Sequence, residues 1–92
     1  MKIPLRSGFA FQKFTVKLGG KVVRFKLRWL TRFSIYAVDI TADGDTLVQG
    51  RALHPGQDLL EGVVTDLGSI TLSGAQPTVS NLSRDNTLEY LP

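Results

Sequence analysis

The 92-residue sequence has no cysteine and a single histidine, His54. Without cysteine there are no disulfide staples, no thiolate metal ligands and no thiol nucleophile, and one histidine cannot complete a zinc set. No metal and no cofactor is expected. Apolar residues come in short pieces, far from the roughly 20-residue apolar run that crosses a bilayer, so no membrane partner is expected either. The basic start, residues 1–6, lacks the apolar stretch and small-residue cleavage site of a signal peptide, which makes cytoplasmic synthesis the expectation.

One sign of charge is also missing from a long stretch. The first 32 residues contain nine of the eleven basic side chains and no Asp or Glu, whereas the other sixty carry two basic and eight acidic ones. The two parts therefore hold +9 and −6, giving the net +3. Such a two-ended chain suits an acidic partner or stacking on another copy of itself. At this length one domain spanning residues 1–92 is expected, burying only about 60–65 % of its unfolded surface, so assembly would add to a modest stability. A hydrophobic content of 42 % against 21 % charged describes a globular chain and not a disordered one.

The pattern that is present has period two. Val23, Phe25, Leu27 and Trp29 alternate with Arg24, Lys26 and Arg28, which predicts a strand over 22–30 with one buried and one wet face. Phe14, Val16 and Leu18 alternate in the same way over 11–18, and Gly19-Gly20 between the two runs supplies the positive φ of a tight hairpin turn. Further strands are predicted over 35–41, 46–53, 67–72 and 87–91. Asp43-Gly44 forms the turn between the first two of these, His54-Pro55-Gly56 ends a meander, and Gly68 permits close backbone packing. Residues 73–86, rich in Ser, Asn, Gly and Pro, read as a long loop. The fold class is all-β: a small antiparallel barrel or sandwich of five to six short strands, with at most a short helical turn near residues 57–62. Barrel closure would remove exposed edges, and an edge left open would be a docking site for a neighbouring subunit.

Nothing in the pattern points to catalysis. His54 precedes Pro-Gly as a turn residue and has no orienting partner in sequence. Asp43 and Asp45 flank Gly44 without the distal bidentate glutamate of a calcium loop. Gly19-Gly20 enters a strand and not a helix, so it is no phosphate cradle. No enzyme is expected. The strongest binding feature is the basic hairpin with its flanks, Lys17, Lys21, Arg24, Lys26, Arg28 and Arg32, which are the candidate partner-binding residues. Alternate side chains on one strand face stand about 7 Å apart, near the spacing of backbone phosphates, so a small β-barrel that binds nucleic acid is the alternative reading. Against it, Phe25 and Trp29 fall on the opposite face from the cations and are not offered for base stacking.

Several segments, taken in order, carry a family likeness: Met1-Lys2-Ile3-Pro4-Leu5, Phe25-Lys26-Leu27-Arg28-Trp29, Tyr36-Ala37-Val38-Asp39-Ile40, the run 43–50, the run 53–60 and Leu67-Gly68-Ser69-Ile70. Their order and spacing resemble the baseplate plug proteins of contractile-tailed bacteriophages over nearly the whole chain. The resemblance implies a virion structural protein, made in the cytoplasm of a bacterial host, that helps close the lower end of the tail tube. Its implied partners are tail-tube, hub or spike components, with homo-oligomers expected and nucleic acid a lesser possibility. It implies no catalytic residues, only framework positions: Gly44, Gly56, Asp58 and the pair Leu59-Leu60. The tail 87–92 departs from the expectation in lacking an extension that could reach a distant partner.

Overall fold

A computed structural model describes residues 1–65 and 67–92. Seven strands form two antiparallel sheets: β1 (Lys2–Ile3), β2 (Phe11–Leu18), β3 (Lys21–Leu30), β4 (Ile35–Ala42), β5 (Asp45–Ala52), β6 (Ser69–Gly74) and β7 (Asn86–Leu91). The larger sheet is the meander β2-β3-β4-β5 and the smaller has the order β1-β7-β6. Of the two architectures expected from sequence, the sandwich is the one that forms: among the described residues no ladder joins the sheets into a closed barrel.

Local chemistry explains the meander. Gly19 and Gly20 have φ of 55° and 79°, and Asp43 and Gly44 have 49° and 88°. Positive φ at both central residues is the turn whose twist matches that of the flanking strands, so each pair closes a two-residue hairpin. The second turn is tied back to the first hairpin, because Val22 N–H donates to Asp43 Oδ1 and Asp43 N–H donates to the Val22 carbonyl, both at 2.9 Å. The alternation of β3 is obeyed closely, with Val23, Phe25 and Leu27 buried and the residues between them exposed.

Inward side chains of both sheets share one core. Phe25, Leu27, Tyr36, Val38 and Ile40 of the large sheet meet Ile3, Ile70, Leu72, Leu88 and Tyr90 of the small one. Phe14 stacks on Phe25 across the hairpin, with centroids 5.1 Å apart and planes at 11°. Leu53, Leu59, Leu60 and Leu82 come from the connecting segments and are also buried.

Two details of the strand layout differ from the sequence expectation. β1 was not expected, since two residues are too few to show a period; it exists because Lys2 and Ile3 pair with Glu89 and Leu88 of β7. The fifth expected strand begins at Ser69 and not at Leu67. Leu67 is buried ahead of the ladder, its carbonyl accepting the Tyr90 hydroxyl, and a Cβ on Gly68 would collide with the Leu91 carbonyl. Residues 57–62 form turns without a helix, within the expectation of at most a short helical turn there. They are held against β6 by bridges from Pro55 to Leu72 and from Asp58 to Thr71. The loop expected over 73–86 is shorter at both ends, 75–85, because Ser73 and Gly74 extend β6 and Asn86 begins β7. It is organised by Asn81 and the buried Asn86, whose side-chain oxygens accept from Thr78 N–H and Ser83 N–H.

Candidate functional site

The outer face of the large sheet collects the cations. Arg24, Lys26 and Arg28 are exposed in a row on β3. Counting outward from the Gly19-Gly20 turn sets β2 against them: Thr15 lies opposite Arg24, Lys13 opposite Lys26, Phe11 opposite Arg28 and Lys17 opposite Val22. In a two-residue hairpin the residues flanking the turn form a hydrogen-bonded pair, so these four are the alternate, non-bonded pairs, where side chains approach most closely. Lys13 was not among the residues singled out from sequence, although the hairpin register already assigns it to this face.

Like charges directly opposed across a ladder weaken it, and Lys13 faces Lys26. Among the described residues neither has a carboxylate partner. Asp39 is the register neighbour of Lys26 on β4, but its Oδ1 accepts the Gly50 N–H at 2.6 Å. Together with Arg24, Thr41 and Gln49, these three residues line a shallow, open concavity of about 620 Å³. The Asp39 carboxylate keeps its charge while accepting the Gly50 amide and offsets part of the cluster, but Lys13, Arg24 and Lys26 outnumber it, so the concavity stays net positive and suits contact with an anionic partner.

The other two candidates lie elsewhere. Lys21 pairs with the buried Leu18, which turns it to the core side of the hairpin end, where it is half-buried and engaged with other groups. Arg32 is exposed in the turn between β3 and β4, beyond the end of the row. That end of the sheet also exposes Phe9, Phe11 and Phe33 at 50 %, 51 % and 69 %. Phe11 stands on the cationic face beside Arg28, a placement that comes from the β2 register and not from its hydrophobicity.

The acids do not build a matching face. Three of them are used inside the fold as acceptors for backbone amides: Asp39 for Gly50, Asp43 for Val22, and Asp58 for both Leu60 and Ile70. Asp45, Glu61, Asp85 and Glu89 sit on separate elements, and Asp66 lies outside the described residues. Among the described residues no three His, Asp or Glu side chains come close enough to hold a metal ion. The His54 Nδ1 lies 3.2 Å from Gln76 Oε1, a structural contact between the β5 exit and the 75–85 loop. Tyr36 is fully buried, its hydroxyl donates to the Phe9 carbonyl at 2.8 Å, and desolvation by burial raises its pKa above 10.0.

The family model described as "Cyanophage baseplate Pam3 plug gp18" matches residues 1–92, the whole chain. No curated protein matches it.

Proposed function

The chain belongs to the cyanophage baseplate plug family, and from that premise we propose that it is a non-enzymatic structural subunit at the lower end of the tail tube. In this reading residues 1–92 act as one β domain, made in the host cytoplasm and built into the virion as copies arranged about the tail axis. It is held there by contacts with tube, hub or spike proteins. The observation that carries the contact surface is the opposed pair Lys13 and Lys26, flanked by Arg24 and Arg28, where the one neighbouring carboxylate, Asp39, is outnumbered by the cations. A fold that tolerates such repulsion gains from a partner that relieves it, and electrostatic complementarity then sets both register and partner choice.

Imaging of intact tails by electron cryomicroscopy tests this reading. The chain is expected at the tube's lower end with the Arg24-Lys26-Arg28 row against an acidic neighbour. Absence from the tail, or a row turned to bulk solvent in the assembled baseplate, overturns it.

A second reading, nucleic-acid binding by the basic hairpin, is favoured by one observation: Phe11 is 51 % exposed on the cationic face and is available for base stacking. Its signature is a loss of about one unit in the slope of log affinity against log salt for each phosphate contact removed. Unchanged DNA and RNA affinity in the combined variant Arg24→Ala, Lys26→Ala, Arg28→Ala would eliminate it.

A further inference from the structure

The sheet edges of this protein are not equivalent. The outer side of β6 is covered by residues 55–59, with Gly56 N–H donating to Leu72 O and Leu59 N–H donating to Ile70 O, both at 2.8 Å. β1 is two residues long. The β5 edge is interrupted by register shifts between Val38 and Thr41 on its partner strand, the kind of irregularity that discourages edge pairing. β2 is different: it pairs with β3 in unbroken register over all eight of its residues, and no strand pairs with its other side among the described residues. The nearest segment there is tied on through the Gln12 side chain, bonded to the Arg6 backbone, and not through the ladder groups of β2.

Alternation fixes what that open edge presents. Because Leu18, Val16, Phe14 and Gln12 make the bonded pairs with β3, the N–H and C=O groups of Lys17, Thr15, Lys13 and Phe11 point outward along the edge. The side chains of those same four residues lie on the cationic face. An added strand would therefore place alternate side chains beside Lys17, Thr15, Lys13 and Phe11, within reach of both ammonium groups.

We infer that the β2 edge is a docking strand for an extended acidic segment of a different protein, one with Asp or Glu at alternate positions. Backbone pairing would supply affinity and the lysines would select the partner and its register. A second copy of this chain fits poorly. Pairing β2 with β2 about a two-fold axis brings lysines together, and the β5 edge offers one acid, Asp45, together with Arg51 and the irregular register. Nucleic acid has no amide and carbonyl ladder to match the edge. The inference rests on the baseplate reading only for the expectation that the segment belongs to another tail protein; the edge chemistry is independent of it.

The test uses the full chain and an octapeptide that alternates glutamate with valine, with amide hydrogen exchange followed by NMR. Exchange at Phe11, Lys13, Thr15 and Lys17 is expected to slow by about tenfold or more on saturation, since an amide in a ladder exchanges only on opening. The amides of Phe14 and Val16, already bonded to β3, should change little. The double variant Lys13→Glu, Lys17→Glu should transfer the preference to the lysine–valine octapeptide. Absence of protection, equal binding of a peptide N-methylated at alternate positions, or no switch in the double variant overturns the inference. So does tighter binding of an oligothymidine without the alternate pattern, which would assign the face to nucleic acid. Protection that rises with the concentration of the chain alone would assign the edge to a second copy. Tail imaging can fail without altering this result, and the converse also holds.

Discussion

The Asp39 carboxylate accepts the backbone N–H of Gly50 at 2.6 Å across the irregular part of the β4–β5 ladder. This one bond does two things: it holds Gly50 at a φ of 68°, and it fixes one oxygen of the carboxylate that stands beside Lys26 in the register. Asp39→Ala is expected to cost about 1 kcal/mol, a single partly exposed charged hydrogen bond. Gly50→Ala is expected to cost about 1–2 kcal/mol for the left-handed backbone. Asp39→Asn keeps an acceptor and should lose less than Asp39→Ala. Urea denaturation midpoints measured for the three variants check this order.

Asp58 is the acid that ties the 57–62 turns to β6. Its Oδ1 accepts from Leu60 N–H and from Ile70 N–H, each at 2.9 Å, so one side chain closes the 57–62 turns and caps the start of β6. Asp58→Ala would leave two part-buried amides without acceptors, at an expected total of about 2–4 kcal/mol. The loss should appear in hydrogen exchange as faster opening at Leu60 and Ile70 before global unfolding. If those amides stay protected, water replaces the carboxylate and the residue is only a surface acid.

The parts of this architecture that follow from period two were legible in the sequence. Val23 to Arg28 alternate so cleanly that the buried and wet faces of β3 could be assigned, and Gly19-Gly20 and Asp43-Gly44 announced their turns. What was not legible depends on pairing between distant residues. β1 is a strand only because β7 lies beside Lys2 and Ile3, and the start of β6 is set by where Gly68 must pass Leu91. The candidate face was legible as a row of three cations. Its second row, with Lys13, required the hairpin register, and the departure of Lys21 to the other face follows from the same count. The roles of Asp39 and Asp58 as backbone acceptors could not be read from composition, where they counted only as negative charge.

Tyr36 gives the fold a pH dependence of known sign. It is buried as the neutral phenol, and its pKa in the folded state is raised above 10.0 by desolvation. Between pH 10.0 and that higher value the unfolded chain loses the phenolic proton and the folded chain keeps it. Tyr36 therefore contributes fully below pH 10.0, and stability falls as the pH rises through the window above it. Tyr36→Phe removes this component along with the hydrogen bond to the Phe9 carbonyl, costing about 1 kcal/mol near neutrality. The expected result is a gap between the wild-type and variant urea midpoints that narrows above pH 10.0. A gap that is constant with pH would mean that the hydroxyl reaches water.

The two aromatic residues of β3 should differ in what they are worth, and the difference tests the register on which the candidate face depends. Phe25 is 1 % exposed in the middle of the strand and stacks on Phe14, whereas Trp29 near the strand's end is only partly buried and meets Tyr36 edge-on, with centroids 5.0 Å apart at 67°. Phe25→Ala should therefore cost about 3–5 kcal/mol, as a cavity in the core does. Trp29→Ala should cost roughly 2 kcal/mol, part of it the edge-to-face contact with Tyr36 that a double-mutant cycle can isolate at about 1 kcal/mol. Lys26→Ala, between them on the wet face, should be neutral or slightly stabilising, because it removes the repulsion from Lys13. A one-residue slip would send every side chain of β3 to the other face, so it would reverse this order: Phe25→Ala would become harmless and Lys26→Ala costly. Thermal denaturation of the three variants thus decides, without any partner in hand, whether the row Arg24-Lys26-Arg28 is free to meet one.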